Sequence, residues 1–187
     1  MAARLSPDLS YARLCNLGLL DPNELSSPPE RMPRHDDEGP FGFSVFRQRL
    51  DDNLDLSDLS LPRTFFGRSE INRVCFRNTD LHESNLCWND FLGTDFTDAN
   101  LARSDMRSSI FKQVVFVNTN LDGADLRGSS FIDCNFEGAT MRRVALTREQ
   151  CATVHLSEAQ RLDVDWHEDD GPEPGWGLVT EVQWARH

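Results

Sequence analysis

The chain has 187 residues, with 19 basic against 31 acidic side chains, a formal net charge of −12 and five cysteines. That length suits one domain, or one extended unit with appendages. The charge would repel nucleic-acid phosphate, and no run approaches the roughly eighteen apolar residues that a membrane span requires. Met1-Ala2-Ala3-Arg4-Leu5 forms no apolar signal core, so a soluble cytoplasmic protein is expected. Cys15, Cys75, Cys87, Cys134 and Cys151 include no C-x-x-C pair, which argues against a zinc site or a disulfide framework.

In chain order, Ser6-Pro7-Asp8 reads as a helix start, with Ser6 as the cap and Pro7 in the first turn. The spacing predicts a short helix to about Leu20. Residues 21–42, rich in Pro, Ser and acidic groups, read as loop. Phe41, Phe43, Val45 and Phe46 then restore apolar character and lead into the next element.

From Leu61 an apolar residue stands at every fifth position: Leu61, Phe66, Ile71, Phe76, Leu81, Leu86, Phe91, Phe96, Leu101, Met106, Phe111, Phe116, Leu121, Leu126, Phe131, Phe136, Met141 and Leu146. A helix repeats near 3.6 and a strand at 2. A strict period of five therefore calls for a coiled array of short identical turns. Two positions before the apolar residue the side chain is mostly small, as at Ser69, Thr79, Ser84, Ala99, Ser109, Ala124 and Cys134. The position between is often Asp or Asn, as at Asp80, Asn100, Asp105 and Asp125, which suits hydrogen bonding to local backbone at turns.

A period of twenty sits on top of the period of five. One column reads Leu61, Leu81, Leu101, Leu121, Met141, and the next Phe66, Leu86, Met106, Leu126, Leu146. The other two, from Ile71 and from Phe76, are otherwise all Phe. Four steps of five per coil would sort the residues in this way. Beyond the repeats, Thr147-x-x-Gln150 and Ser157-x-x-Gln160 match the capping box and predict short helices that close the last coil. Residues 168–177 read as an acidic tail.

The small–Asp/Asn–Leu/Phe–x–x unit resembles the pentapeptide-repeat family over roughly residues 59–150. The resemblance implies an all-β solenoid, a right-handed four-sided β-helix with one pentapeptide per side, its apolar residues filling the lumen. Short helical caps are expected at both ends, because a solenoid end exposes core and strand edges. The expected division is an N-terminal helix, loop and cap over 1–45, the β-helix over 46–150, and a helical cap with the acidic tail over 151–187.

Residues 1–60 hold 6 basic and 11 acidic side chains, 61–160 hold 11 and 13, and 161–187 hold 2 and 7. The repeats are nearly neutral and the acidity lies in the flanks. Arg68, Arg107, Arg127 and Arg148 fall in outward positions of the Phe66 side, and Arg103, Arg142 and Arg143 on the neighbouring side, which predicts a basic ridge. Trp88 projects from the same side, and Trp beside Arg is the composition of an interface hot spot. Leu92, Ile110 and Ile132 fall on one side in successive coils, with Val115 and Val117 around the corner. They form an apolar patch that the chain's own N-terminal segment, a second copy, or another protein would cover.

The histidines, at 35, 82, 155, 167 and 187, pair with no Cys or Ser at a recognisable spacing. No nucleotide-binding, esterase or metalloprotease motif is present. The reading is a non-enzymatic protein-binding scaffold without cofactor, metal or catalytic residues. Its leading form is an immunity- or antitoxin-type inhibitor of a toxin. The alternative follows from the resemblance: a DNA-mimicking protein that binds DNA gyrase in the manner of quinolone-resistance proteins. The predicted basic ridge has the wrong sign for that mimicry. A scaffold with several weak partners is the third form.

Overall fold

The computed structural model describes residues 3–20, 43–51 and 54–168. The chain forms a parallel β-solenoid whose lumen is its core. All eighteen residues of the five-residue register are buried, most of them completely. Fully burying one such side chain contributes about 1.5–3 kcal/mol.

The strands are β1 Ser44–Phe46, β2 Arg49–Leu50, β3 Phe65–Gly67, β4 Glu70–Asn72, β5 Asp90–Leu92, β6 Ile110–Lys112, β7 Ser130–Ile132, β8 Ala145–Thr147 and β9 Asp165–His167. Among the described residues every pairing is parallel, and only the Ile71 side forms a continuous sheet, in the order β2-β4-β5-β6-β7. Single bridges twenty residues apart join the coils on the other sides, as in Asp80↔Asn100↔Asn120↔Thr140. The register begins before Leu61. Val45 pairs with Phe66 and Leu50 with Ile71, both at a spacing of twenty-one, whereas Asp55 pairs with Cys75 at twenty. The inward residues of the first coil thus run Val45, Leu50, Leu56, Leu61, with one extra residue that breaks the period and hides this coil from a strict count of five.

The period of twenty has a physical reason in the rings. Phe76, Phe96, Phe116 and Phe136 stack face to face with centroids 5.1, 5.5 and 4.8 Å apart. Phe91, Phe111 and Phe131 stack in the same way at 5.1 and 5.4 Å. Across the shared corner the two columns meet edge to face, as in Phe111–Phe116 at 5.6 Å. These are the offset and T-shaped arrangements that the ring quadrupole favours.

The small inward position carries more than a size limit. Its side chain donates to the carbonyl of the apolar residue one coil below: Ser109 Oγ to Leu86, Thr119 Oγ1 to Phe96, Ser129 Oγ to Met106, Asn89 Nδ2 to Phe66. The Asp or Asn that follows accepts from the backbone N–H two residues on, as Asp95 from Thr97 and Asn120 from Asp122. Two residues after each inward apolar residue from Leu56 to Met141 the backbone is left-handed, at φ from +50° to +72°. Only Gly93, Gly123, Gly128 and Gly138 hold this conformation without a Cβ penalty.

The N-terminal helix α1 spans Pro7–Asn16, with Ser6 accepting at its start. It stops short of Leu20 because Gly18, at φ +70°, takes the left-handed position: Gly18 N–H donates to Cys15 and Leu19 N–H to Leu14. At the other end Glu149–Ala152 is a 3₁₀ turn and α2 spans Glu158–Asp163 with the Ser157/Gln160 capping box formed. Phe41, the 21–42 loop and the tail from residue 169 lie outside the described residues.

Candidate functional site

The predicted contact residues lie on two adjoining sides. Trp88 follows Leu86 by two, so it occupies a left-handed corner at φ +60° and is 46% exposed. Directly beneath it in the same column, Arg68 places its guanidinium 6.0 Å from the indole centroid, within cation–π range. Around the corner, Glu70 and Asp90 are register partners on β4 and β5. With Arg68, Ser69 and Trp88 they line one shallow depression. Neither carboxylate makes an ion pair among the described residues.

The basic ridge requires correction. Arg107 donates from Nε and Nη2 to the two carboxylate oxygens of Asp105, at 3.0 and 2.8 Å, and its Nε lies 3.8 Å from Asp125. Arg127 grips Asp125 in the same bidentate way, at 2.9 and 2.7 Å. Arg148 pairs with Glu168 at 2.7 Å, twenty residues on. On the neighbouring side Arg103 pairs with Glu83 at 2.6 Å. The ridge is a ladder of alternating charge, and Asp105 raises the pKa of Arg107 further by accepting from it. The sequence signal was present in two Asp-x-Arg triplets twenty residues apart. Arg68 differs from Arg107, Arg127 and Arg148 in being stacked on Trp88.

Leu92, Ile110 and Ile132 all lie on the sheet side but not in one column. Ile110 aligns with Asp90 and Ser130, while Leu92 aligns with Lys112, which aligns with Ile132. The patch is therefore a zigzag over three strands, with Ile110 45% and Ile132 46% exposed and Leu92 half-buried. Val115 and Val117 are half-buried on the Phe76 side. The described part of the N-terminal segment does not cover this surface. It lies by the Phe76 side, where Arg4 donates to the Asn78 carbonyl, Arg13 pairs with Asp55, and Leu5 N–H reaches the Asp58 carbonyl.

Residues 90–113 and 109–148 match the family model for pentapeptide repeats, in eight copies. The coils are pentapeptide repeats. A pentapeptide repeat protein from the Arabidopsis thaliana thylakoid lumen has a similar structure, with TM-score 0.50 and 28% identity over 62% of this chain and 72% of that one. A trypsin-treated form of QnrB1, a plasmid-mediated fluoroquinolone resistance protein, reaches TM-score 0.51 at 15% identity over 71% of this chain and 69% of that one, which shows a shared fold. No curated protein sequence matches the chain.

Within the pentapeptide solenoid the titratable groups beside the site are held in structural roles. Burial, with Asp105 nearby, pushes the Cys87 thiol up to about 12, so it stays protonated and unreactive. Burial likewise raises Cys134, whose Sγ donates to the Phe111 carbonyl. His82 is held by Asp80, its Nδ1 2.8 Å from Oδ1. Among the described residues no three His, Cys, Asp or Glu side chains group so as to hold a metal ion, and no helix is long and apolar enough to cross a membrane.

Proposed function

We propose that the chain is a non-enzymatic protein-binding solenoid that blocks or protects one partner protein, as an immunity- or antitoxin-type inhibitor. The observation that carries this is Trp88. It stands at a left-handed position, where a bulky side chain costs roughly 1–2 kcal/mol in backbone energy. Gly128, two coils above in the same column, meets the same turn without that cost. Arg68 and Ser108 of the same column take this turn too, so what sets Trp88 apart is its size and exposure: a large aromatic held half-exposed with a guanidinium stacked on it suits an anchor in a binding surface. The rest of the corner and the sheet face give that anchor apolar and charged surroundings on a rigid support.

The test is affinity capture from the source cells with the intact protein, then inhibition of whatever activity the captured partner has. Trp88→Ala is expected to melt like the parent and to weaken partner binding by at least ~1 kcal/mol, about fivefold. Equal retention by the variant would overturn the role given to Trp88.

One observation favours the DNA-mimic reading. The Phe76 side is acidic on its outer surface, with Asp55, Asp58, Asp95, Asp98 and Glu137 against Arg77. Yet Arg13 and Arg77 pair with Asp55 and Asp95, and Val115, Val117 and Asn118 interrupt the row. Duplex DNA carries a charge about every 1.7 Å, so the imitation is partial. Protection of gyrase in a supercoiling assay would reverse the ranking.

A further inference from the structure

The sheet face between Trp88 and Ile132 has dimensions that select its occupant. Three residues along each strand at ~3.3 Å, and four strands at ~4.8 Å, give a flat strip of about 10 by 19 Å. It matches a helix, whose diameter with side chains is ~10–12 Å and whose turns recur every ~5.4 Å, close to the strand spacing.

We propose that this strip seats one amphipathic helix of the partner, about three turns long, laid along the solenoid axis. This rests on the protein-binding reading above. Apolar side chains of the helix meet Leu92, Ile110 and Ile132. Lys112, between Leu92 and Ile132 in the register, requires an acidic or polar residue opposite. At the lower end Glu70 and Asp90 call for Lys or Arg. Arg49, one strand below Glu70, is bonded to Asp51 at 2.6 Å. Basic residues also favour the last turn of a helix, where they complement its dipole. The helix therefore runs with its C-terminus toward the N-terminal end of the solenoid, and Trp88 with Arg68 walls one flank.

The probe is a labelled fifteen-residue designed helical peptide with a leucine stripe and arginines in its last turn, followed by fluorescence anisotropy with the full chain. Two comparison peptides carry glutamates in that turn or a scrambled order of the same residues. The arginine peptide is expected to bind at least tenfold more tightly than either. Glu70→Lys with Asp90→Lys should invert the preference toward the glutamate peptide, and Ile110→Asp should abolish both, with the melting curve of each variant unchanged. Equal binding of the scrambled peptide, or an unchanged preference in the charge-reversed variant, overturns the seat. If the natural partner is still captured by the charge-reversed variant, the protein-binding reading survives and the helix seat alone fails.

Discussion

The two ends of the solenoid solve one problem by different means. At the N-terminal end a helix lies across the opening. Leu14 plugs the lumen and is completely buried, Ser10 accepts from Ser60 N–H at 2.8 Å, and Arg13 binds the carbonyls of Asp55 and Ser57. At the C-terminal end two glutamines stand in for a coil that is not there. In the middle of the rod an inward apolar carbonyl receives a side-chain donor from the coil above, and the carbonyl three residues on receives a backbone N–H. Gln150 Nε2 makes both bonds at once, to Leu126 at 2.8 Å and Ser129 at 2.7 Å. Gln160 repeats this one corner pair further on, with Phe136 at 2.8 Å and Ala139 at 3.0 Å. Both ends bury apolar volume, Leu14 at the first and Val154 and Val164 at the second, but at the second the vacant carbonyls are taken by side-chain amides, so the ends should fail differently when each device is removed.

The largest effect is expected from neither end. Phe116→Asp puts an uncompensated charge between two stacked rings in the middle of the lumen and should abolish cooperative folding by circular dichroism; a soluble variant with a sharp melt would refute the inward register. Leu14→Ala empties the N-terminal plug and should cost ~2–5 kcal/mol in urea denaturation. Gln150→Ala takes the donor from the Ser129 carbonyl and leaves the Leu126 carbonyl only its bond from Ser129 N–H; it should cost ~1–3 kcal/mol, with Gln160→Ala at the low end because its side chain is only part-buried. A larger loss from Gln150→Ala than from Leu14→Ala would invert the comparison.

The smallest effect concerns a link that spares both ends. The hydrogen bonds from Arg103 hold the Glu83 carboxyl below its ordinary value of 4.5. A lowered carboxylate stabilises the fold above that value and loses its contribution as pH falls through the lowered one. Glu83→Gln should therefore flatten the acid limb of the stability curve slightly, and leave its shape above pH ~5 unchanged.

The repeat from Leu61 to Leu146, its twenty-residue columns and its inward register are all legible, because a lumen admits only an apolar residue at each step. The first coil is not, since the extra residue between Leu50 and Leu56 breaks the count. The sequence alone suggests a basic ridge because it does not show the neighbours of the arginines: Asp105 and Asp125 serve as turn formers, and the same carboxylates also clamp Arg107 and Arg127. The Gln150 and Gln160 motifs match helix caps in sequence. Ser157 with Gln160 is one, but no link in the sequence joins either amide to carbonyls more than twenty residues back.

Because one circuit of the wall takes twenty residues from Leu56 onward, a change of length there that keeps the register comes in whole laps. Excising Ser84–Arg103 would shorten the rod by about 4.8 Å and return every later side chain to its own wall. Excising five residues would carry the Phe111–Phe131 wall a quarter-turn onto a leucine wall and the Leu101–Leu121 wall onto a phenylalanine one. The same rule applies to the outer surface. Any accepted change of length preserves the bearing of the corner that carries Trp88 relative to the sheet face, and alters only how far along the rod each partner contact lies.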